Sequence, residues 1–358
     1  MYPYLTDDLA GIGGTLKTEP EDFLVEEIPA YEPAGEGEHL FVWIEKRNVS
    51  AEGLTRHLAR NLDVDSRTIG VAGLKYRVAI TRQYVSLPAE CESRLAAIET
   101  DEIRVLHSGR HTNKLRTGHL RGNSFRILLR DVDSNAAASA KRIHERLVAV
   151  GFPNYFGDQR MGRDGETLDL GLALLRGERS SRSIPPSRRR FLERLSLSAV
   201  QSWLFNQVLA ERIRDGLAST VLEGDVLQVT ASGGPFVAED VPVEQRRLDA
   251  GEVVVSGPLF GPKMRQPRGV SAEREQRVLE QASLTADHFL RHRKLTPGGR
   301  RPLMIRVEGL QIQPEPDGLR FEFTLPSGVY ATTLLREFIK PAKFELEVDE
   351  RPAVDYSE

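Results

Sequence analysis

Between Leu16 and Pro88 the hydrophobic pattern changes period several times, and that succession restricts the fold more than any other feature of the chain. Phe23, Val25 and, less regularly, Ile28 alternate as in a strand with one buried face. Turn chemistry at residues 31–39 leads to a second apolar run, Leu40 to Ile44, expected to pair with the first. The period then lengthens: Ser50 is an N-cap, Glu52 lies in the first turn, and Leu54, Leu58 and Leu62 line one helix face. Next comes V-A-G-L-K-Y-R-V-A-I-T-R-Q-Y-V-S-L-P, residues 71–88, a glycine turn at Gly73, a basic loop and a strand. Strand, strand, helix, loop, strand is α/β material. A cationic loop mounted on a strand can hold a phosphate, although most loops carrying a lysine and an arginine are merely solvated.

The 358 residues, 40% of them hydrophobic, favour two domains. One cysteine, Cys91, excludes a disulfide framework and a cysteine-rich zinc site. The N-terminus lacks a basic region followed by an apolar core, and no stretch approaches the roughly 20 apolar residues of a membrane span, so a soluble cytoplasmic protein is expected. A net charge of -3 gives no global nucleic-acid footprint, but its distribution is uneven. Between Glu102 and Asp131 no acid occurs, while Arg104, Arg110, Lys114, Arg116, Arg121, Arg126 and Arg130 accumulate beside His107, His111 and His119. Such a run suits phosphates, with a solvated hairpin as the plainer reading. A second cationic patch fills the Pro/Ser/Arg connector at residues 176–190.

Helical patterns follow at Ala136 to Val150, Leu168 to Leu175, Phe191 to Arg214 and near Glu273 to Arg293. Short strands are expected at Val226 to Thr230, Val253 to Val255, Met304 to Val307 and Leu319 to Leu325, and the acidic stretch Glu345 to Glu358 is expected to fray. There is no H-E-x-x-H, no P-loop and no G-x-S-x-G elbow. What remains is a set of basic loops interleaved with Phe23, Phe125, Tyr155, Phe156 and Tyr330. Aromatic faces stack on bases while cations hold the backbone, a combination suited to an unstacked RNA base; each aromatic alone would more often be core.

Five ordered blocks carry a more specific resemblance: K-T-E-P-E-D-F-L-V-E-E with Y-E-P-A-G-E-G-E-H, A-G-L-K-Y-R-V-A-I-T-R-Q, L-R-G-N-S-F, P-N-Y-F-G-D-Q-R-M-G, and L-P-S-G-V-Y-A-T-T-L-L-R-E. The chain resembles the TruD family of tRNA pseudouridine synthases from about Leu16 to about Lys340. The resemblance implies an α/β (α+β) pseudouridine synthase core around a largely antiparallel mixed sheet, comprising residues 1–150 and 305–358, with a TruD-specific domain inserted at 151–304. It also implies tRNA as partner, no required protein partner, and isomerisation of the uridine at position thirteen without metal or organic cofactor. In the family a loop aspartate initiates glycosidic cleavage; here Tyr76 of Gly73-Leu74-Lys75-Tyr76-Arg77 stands at its position.

Lys17 matches the basic residue that pairs with that aspartate, Asn123 the asparagine orienting the loop, Phe125 the aromatic beside the target base, Phe23 a cleft phenylalanine, and Tyr330 a usual phenylalanine. Met161 likewise replaces a usual phenylalanine. RNA contacts are expected from Phe23, Lys75, Arg77, Arg82, Gln83, Arg116 and Arg160. A phenol ordinarily titrates near 10 and is neutral at pH 7, and its longer ring displaces the oxygen by more than the roughly 1 Å that already costs ~100-fold in rate. The expectation is therefore a TruD-like synthase whose activity is in question. The alternatives are a silent tRNA-binding paralogue, a substitute carboxylate (Asp63 and Asp65 being the nearest upstream acids), attack by the phenolate with its pKa lowered by Lys17 and Lys75, a recent inactivating substitution at position 76, or a non-RNA interaction module reusing the scaffold.

Overall fold

The computed structural model describes residues 2–340, so the acidic terminal stretch lies outside the described residues. The chain forms two compact units. Of the described residues, one unit contains Ala10–His144, Val307–Ala331 and 338–340; the other contains Glu145–Arg306 with residues 2–9 and Thr332–Glu337.

The first unit is built on a nine-stranded mixed sheet. Its strands are β1 (Gly13–Thr15), β2 (Phe23–Pro29), β3 (His39–Arg47), β4 (Gly70–Val71), β5 (Ile80–Pro88), β6 (Ile103–His111), β7 (Leu120–Val132), and two later ones, Glu308–Glu315 and Gly318–Pro326. From the edge strand Glu308–Glu315 the order runs through Gly318–Pro326, then β7, β2, β5, β3 and β6, with β1 on β7 and β4 on β5. β2 and β5 are parallel, pairing Leu24 with Ile80 and Glu26 with Arg82, and the other pairings are antiparallel. The expected pairing of the first two apolar runs is thus corrected, because β5 lies between β2 and β3.

Helix α1 (Ala51–Leu62) follows its sequence signature: Ser50 Oγ accepts from the Gly53 amide at 3.0 Å, and Asp63 ends the helix in the left-handed region at φ 50°. Leu54, Leu58 and Leu62 are buried against Leu40, Val42 and Ile44 of β3 and Val85 and Leu87 of β5. Each such side chain contributes about 1.5–3 kcal/mol through burial. On β2 the alternation holds at Phe23 and Val25, but the third inward position is Glu27; Ile28 is half-buried.

In the second unit, helices α3 (Glu166–Arg176) and α4 (Arg189–Arg214) follow α2 (Ala136–Val150) in the chain and share a core with Ile184, Phe260, Leu279, Leu284 and Phe289. A two-stranded sheet joins β8 (Phe152–Pro153) to Met304–Ile305. A four-stranded sheet runs β10 (Pro235–Val237), β9 (Val226–Val229), β11 (Val253–Leu259) and β12 (Gly299–Pro302). Between β10 and β11 lies α5 (Val241–Asp249), which the sequence reading missed although Asp240 caps it through the Val243 amide and Pro242 occupies its first turn. The helix expected near Glu273 to Arg293 is two, α6 (Gly269–Gln281) and α7 (Ala286–Leu290). Ser283 at φ 54° interrupts it and delivers Leu284 to the core, and Thr285 and His288 then form a capping box. The chain's last described helix is α8 (Ala331–Ile339).

Candidate active site

Strand register assembles the floor of the site. On β2 and β7, Val25 faces Phe125 and Glu27 faces Asn123, so these side chains share one face of the sheet. Phe23 lies edge-on to Phe125 at 6.3 Å between ring centroids, and Phe125 stacks on Phe323 at 5.2 Å. The loop of residues 72–79 joins β4 to β5 and carries Tyr76 to this floor: its ring meets Phe23 edge-on at 4.9 Å. The Lys17 ammonium lies 4.0 Å from the Tyr76 ring centroid and 4.7 Å from that of Phe23. Lys17 itself sits in the left-handed region at φ 58°, a conformation that costs energy for a long side chain and is retained where the surroundings hold it.

Two buried lysines fix the loop from below. Lys75 Nζ donates to Glu27 Oε2 at 2.6 Å, with both side chains buried. Lys46 Nζ donates to the backbone oxygens of Val49 at 2.6 Å and Tyr76 at 2.9 Å. Consecutive loop residues are thus tied to the sheet, one through its side chain and one through its carbonyl. Burial, with a smaller contribution from the like charge of Lys75, pulls Lys46 down to about 7. Burial also lowers Lys75, and the Glu27 carboxylate opposes that shift. Around these pins Thr81 Oγ1, Gln83 Oε1 and Asn123 Oδ1 are buried without a hydrogen bond among the described residues.

At Gly73, where the sequence places a turn, the backbone does not require glycine. Its φ is not in the left-handed region, and a Cβ there would meet Leu120 and Lys75 at an ordinary 3.7 Å. Gly70 is the constrained position: a Cβ would lie 2.2 Å from the Leu115 oxygen and 2.4 Å from Ser86 Oγ.

The expected site residues divide accordingly. Lys17, Phe23, Tyr76 and Phe125 come together, Asn123 stands beside Glu27 on β7, and Tyr330 is half-buried on the turn before α8. Lys75 and Gln83, expected to contact RNA, are interior, and Phe23 is fully buried. Arg82 bonds Glu45 at 2.8 Å and Glu26 at 3.0 Å. Arg77 and Arg116 are exposed. Arg160 belongs to the other unit, where it donates to Ser198 Oγ at 2.9 Å and faces the Phe156 ring. Tyr155 and Phe156, expected among base-stacking aromatics, are buried there against Tyr2 and Phe205.

The two upstream acids are both exposed. Asp63 caps α1, while exposed Asp65 is held by Arg67 at 2.6 Å, whose hydrogen bonds draw it down to about 2. Three of the seven cations of the basic run are paired with acids outside it: Arg110 with Glu92, Arg126 with Glu322, and Arg130 with Asp22 and Asp317. Lys46 and Glu27 were missed, though each had a signal: it continues an inward strand register, Leu40-Val42-Ile44-Lys46 or Phe23-Val25-Glu27.

The sequence model described as tRNA pseudouridine synthase D (TruD) matches residues 1–183 and 187–338. The chain belongs to the TruD family. The tRNA pseudouridine synthase D of Anaeromyxobacter dehalogenans strain 2CP-1 is 43% identical over 338 residues, covering 94% of this chain and 96% of that protein. A tRNA pseudouridine synthase D of Thermus thermophilus is 40% identical over 353 residues, covering 98% and 96%. A TruD crystal structure from Methanosarcina mazei superposes with a TM-score of 0.77 at 28% identity, covering 95% of this chain and 96% of that one. The mixed α/β architecture is thus that of TruD. Among the described residues, no helix is long and apolar enough to cross a membrane.

Proposed function

We propose that this TruD-family chain is a cytoplasmic tRNA-binding protein that retains the pseudouridine synthase pocket and is silent toward the isomerisation of uridine, including position thirteen. On this reading the unit built on the nine-stranded sheet is the synthase-type core, and the unit containing residues 145–306 is the family's insertion. Isomerisation breaks the bond between N1 and C1′ of the ribose, turns the freed uracil and rejoins it through C5, and an anionic carboxylate initiates it in the family. In this chain Tyr76 offers a phenol, ordinarily neutral at pH 7.

The observation that carries the reading is Lys17 lying 4.0 Å from the centroid of the Tyr76 ring. A cation over an aromatic face is stabilised by the ring quadrupole, so the lysine that would pair with a carboxylate has a partner that is no acid. The pocket is therefore consistent with Tyr76 as a settled occupant. Phe23 and Phe125 keep the buried aromatic layer beneath Tyr76, and exposed Arg77, Arg116 and Arg121 supply phosphate contacts. Lys75 and Gln83 act in this proposal as supports of the loop, and Asn123 and Tyr330 as further walls of the pocket.

The test is mass spectrometry of pseudouridine in tRNA incubated with the parent and with Tyr76→Asp. The parent is expected to be nearly silent and the variant to gain turnover. Robust turnover by the parent would overturn the proposal and favour phenolate attack. A silent Tyr76→Asp that still binds tRNA would show that the pocket differs from an active one beyond Tyr76. Affinity for tRNA should weaken steeply with salt, since phosphate contacts release counterions.

A further inference from the structure

The second unit carries a cationic surface of which its own fold uses only part. Residues 176–194 and the turn 291–294 together hold ten arginines and lysines against two carboxylates, Glu178 and Glu193. The two segments are neighbours. The Arg291 guanidinium lies against Gly177, and His292 Nδ1 is 3.5 Å from Glu193 Oε1, which also accepts from Ser181 Oγ at 2.6 Å. Glu193 thereby fastens the patch from beneath, while Glu178 lies 3.9 Å from Arg176.

The surface is preformed. Ile184 is buried in the helical core, Arg176 donates to the Ala282 oxygen at 2.7 Å, and Pro185 and Pro186 stiffen the connector between two short 3-10 turns. Arg179, Arg182, Arg188, Arg293 and Lys294 are exposed, and no ion pair holds them among the described residues. In the first unit, by contrast, Arg110, Arg126 and Arg130 are each paired.

The sign of these charges also runs against the helix that they precede. Arg188, Arg189 and Arg190 stand at the start of the 26-residue α4, with no acid in its first turn and no side-chain cap. Cations at a helix N-terminus oppose the macrodipole, so local stability argues against them. Nine of the ten cations are arginines, whose planar fork matches phosphate oxygens bidentately.

We propose that this arginine surface of the second unit docks the phosphate backbone of the bound tRNA, as an anchor separate from the pocket around Tyr76. The inference rests on the proposed tRNA binding and adds where part of that binding energy arises.

The experiment measures tRNA affinity of the full chain against salt for the parent, for Arg182→Gln/Arg188→Gln/Arg293→Gln, and for Arg179→Glu/Lys294→Glu. Each lost phosphate contact reduces the slope of log affinity against log salt by about 0.7–0.9, so the triple variant should lose about two units of slope and bind roughly tenfold or more weakly at moderate salt. Charge reversal should weaken binding further. Thermal midpoints should stay at the parent value, which distinguishes lost docking from lost folding. Unchanged slope and affinity in both variants, with salt-dependent binding by the parent, would overturn the anchor alone. Absence of parental tRNA binding would overturn the proposed function and the anchor together. Vesicles of phosphatidylserine and phosphatidylcholine are the competing probe: patch-dependent vesicle binding with unchanged tRNA affinity would assign the surface to a membrane and overturn the proposal.

Discussion

Replacing Lys75 with methionine tests whether the loop under Tyr76 is pinned by a buried charge pair. The Lys75 and Glu27 side chains are 3% and 0% exposed and 2.6 Å apart. Without Lys75, Glu27 would keep one long hydrogen bond, from the Tyr84 amide at 3.4 Å, and an otherwise uncompensated charge. Breaking such a pair by removing one partner costs about 3–5 kcal/mol. The orphaned carboxylate can escape by taking up a proton. From an ordinary value near 4.3, protonation at pH 7 costs about 3.7 kcal/mol, which sets a ceiling near 4 for the charge component; at pH 5.5 it costs about 1.6 kcal/mol. The sign follows: a buried lone carboxylate titrates above its unfolded value, so the folded variant binds the extra proton and gains relative stability as pH falls. Urea denaturation should therefore show a deficit of about 4 kcal/mol at pH 7 shrinking to about 2 at pH 5.5. Lys75→Met/Glu27→Leu, which removes both charges, should recover to within about 2 kcal/mol of the parent. A single variant within about 1 kcal/mol of the parent at pH 7 would refute the pinned, dry pair.

Lys46 titrates in the opposite sense. Its folded value near 7 lies below the ordinary 10.5, so the unfolded chain holds the extra proton between them and stability rises with pH through that window. Unfolding free energies from urea denaturation at pH 6.5 and 8.5 should differ by about 2 kcal/mol in favour of the higher pH, and Lys46→Met should flatten the difference; an equal slope in the variant would reject the assignment. Gly70→Ala should cost about 1–3 kcal/mol through backbone collision, whereas Gly73→Ala should stay within about 0.5 kcal/mol, both read by thermal unfolding. Ser50→Ala should cost about 1 kcal/mol by removing the cap on the Gly53 amide, and Ser50→Asp should retain it.

Which of these features the sequence disclosed depends on how far apart their causes lie along the chain. Helix α1 was legible to the residue because its cap and its leucines at fourth positions are local rules. The false β2–β3 pairing came from the same locality: adjacent apolar runs suggest a hairpin, and no local pattern records that β5, more than thirty residues after β3 begins, is inserted between them. Nor does a local pattern record the partners of Arg110, Arg126 and Arg130 in the basic run, since Glu92, Glu322 and Asp22 reach them through strand pairing and turns. At the site, the ordered blocks located Tyr76, Lys17, Phe23 and Phe125, but not the stacking of Lys17 on the Tyr76 ring, which depends on where the loop comes to rest. The loop's supports had left a trace. A lysine following Leu40, Val42 and Ile44, and a glutamate following Phe23 and Val25, each occupy an inward register where a charge is expensive. Such a charge is retained when something nearby needs its hydrogen bonds. Here both lead to residues 75 and 76, so the parity of two strands already pointed at the loop that carries Tyr76.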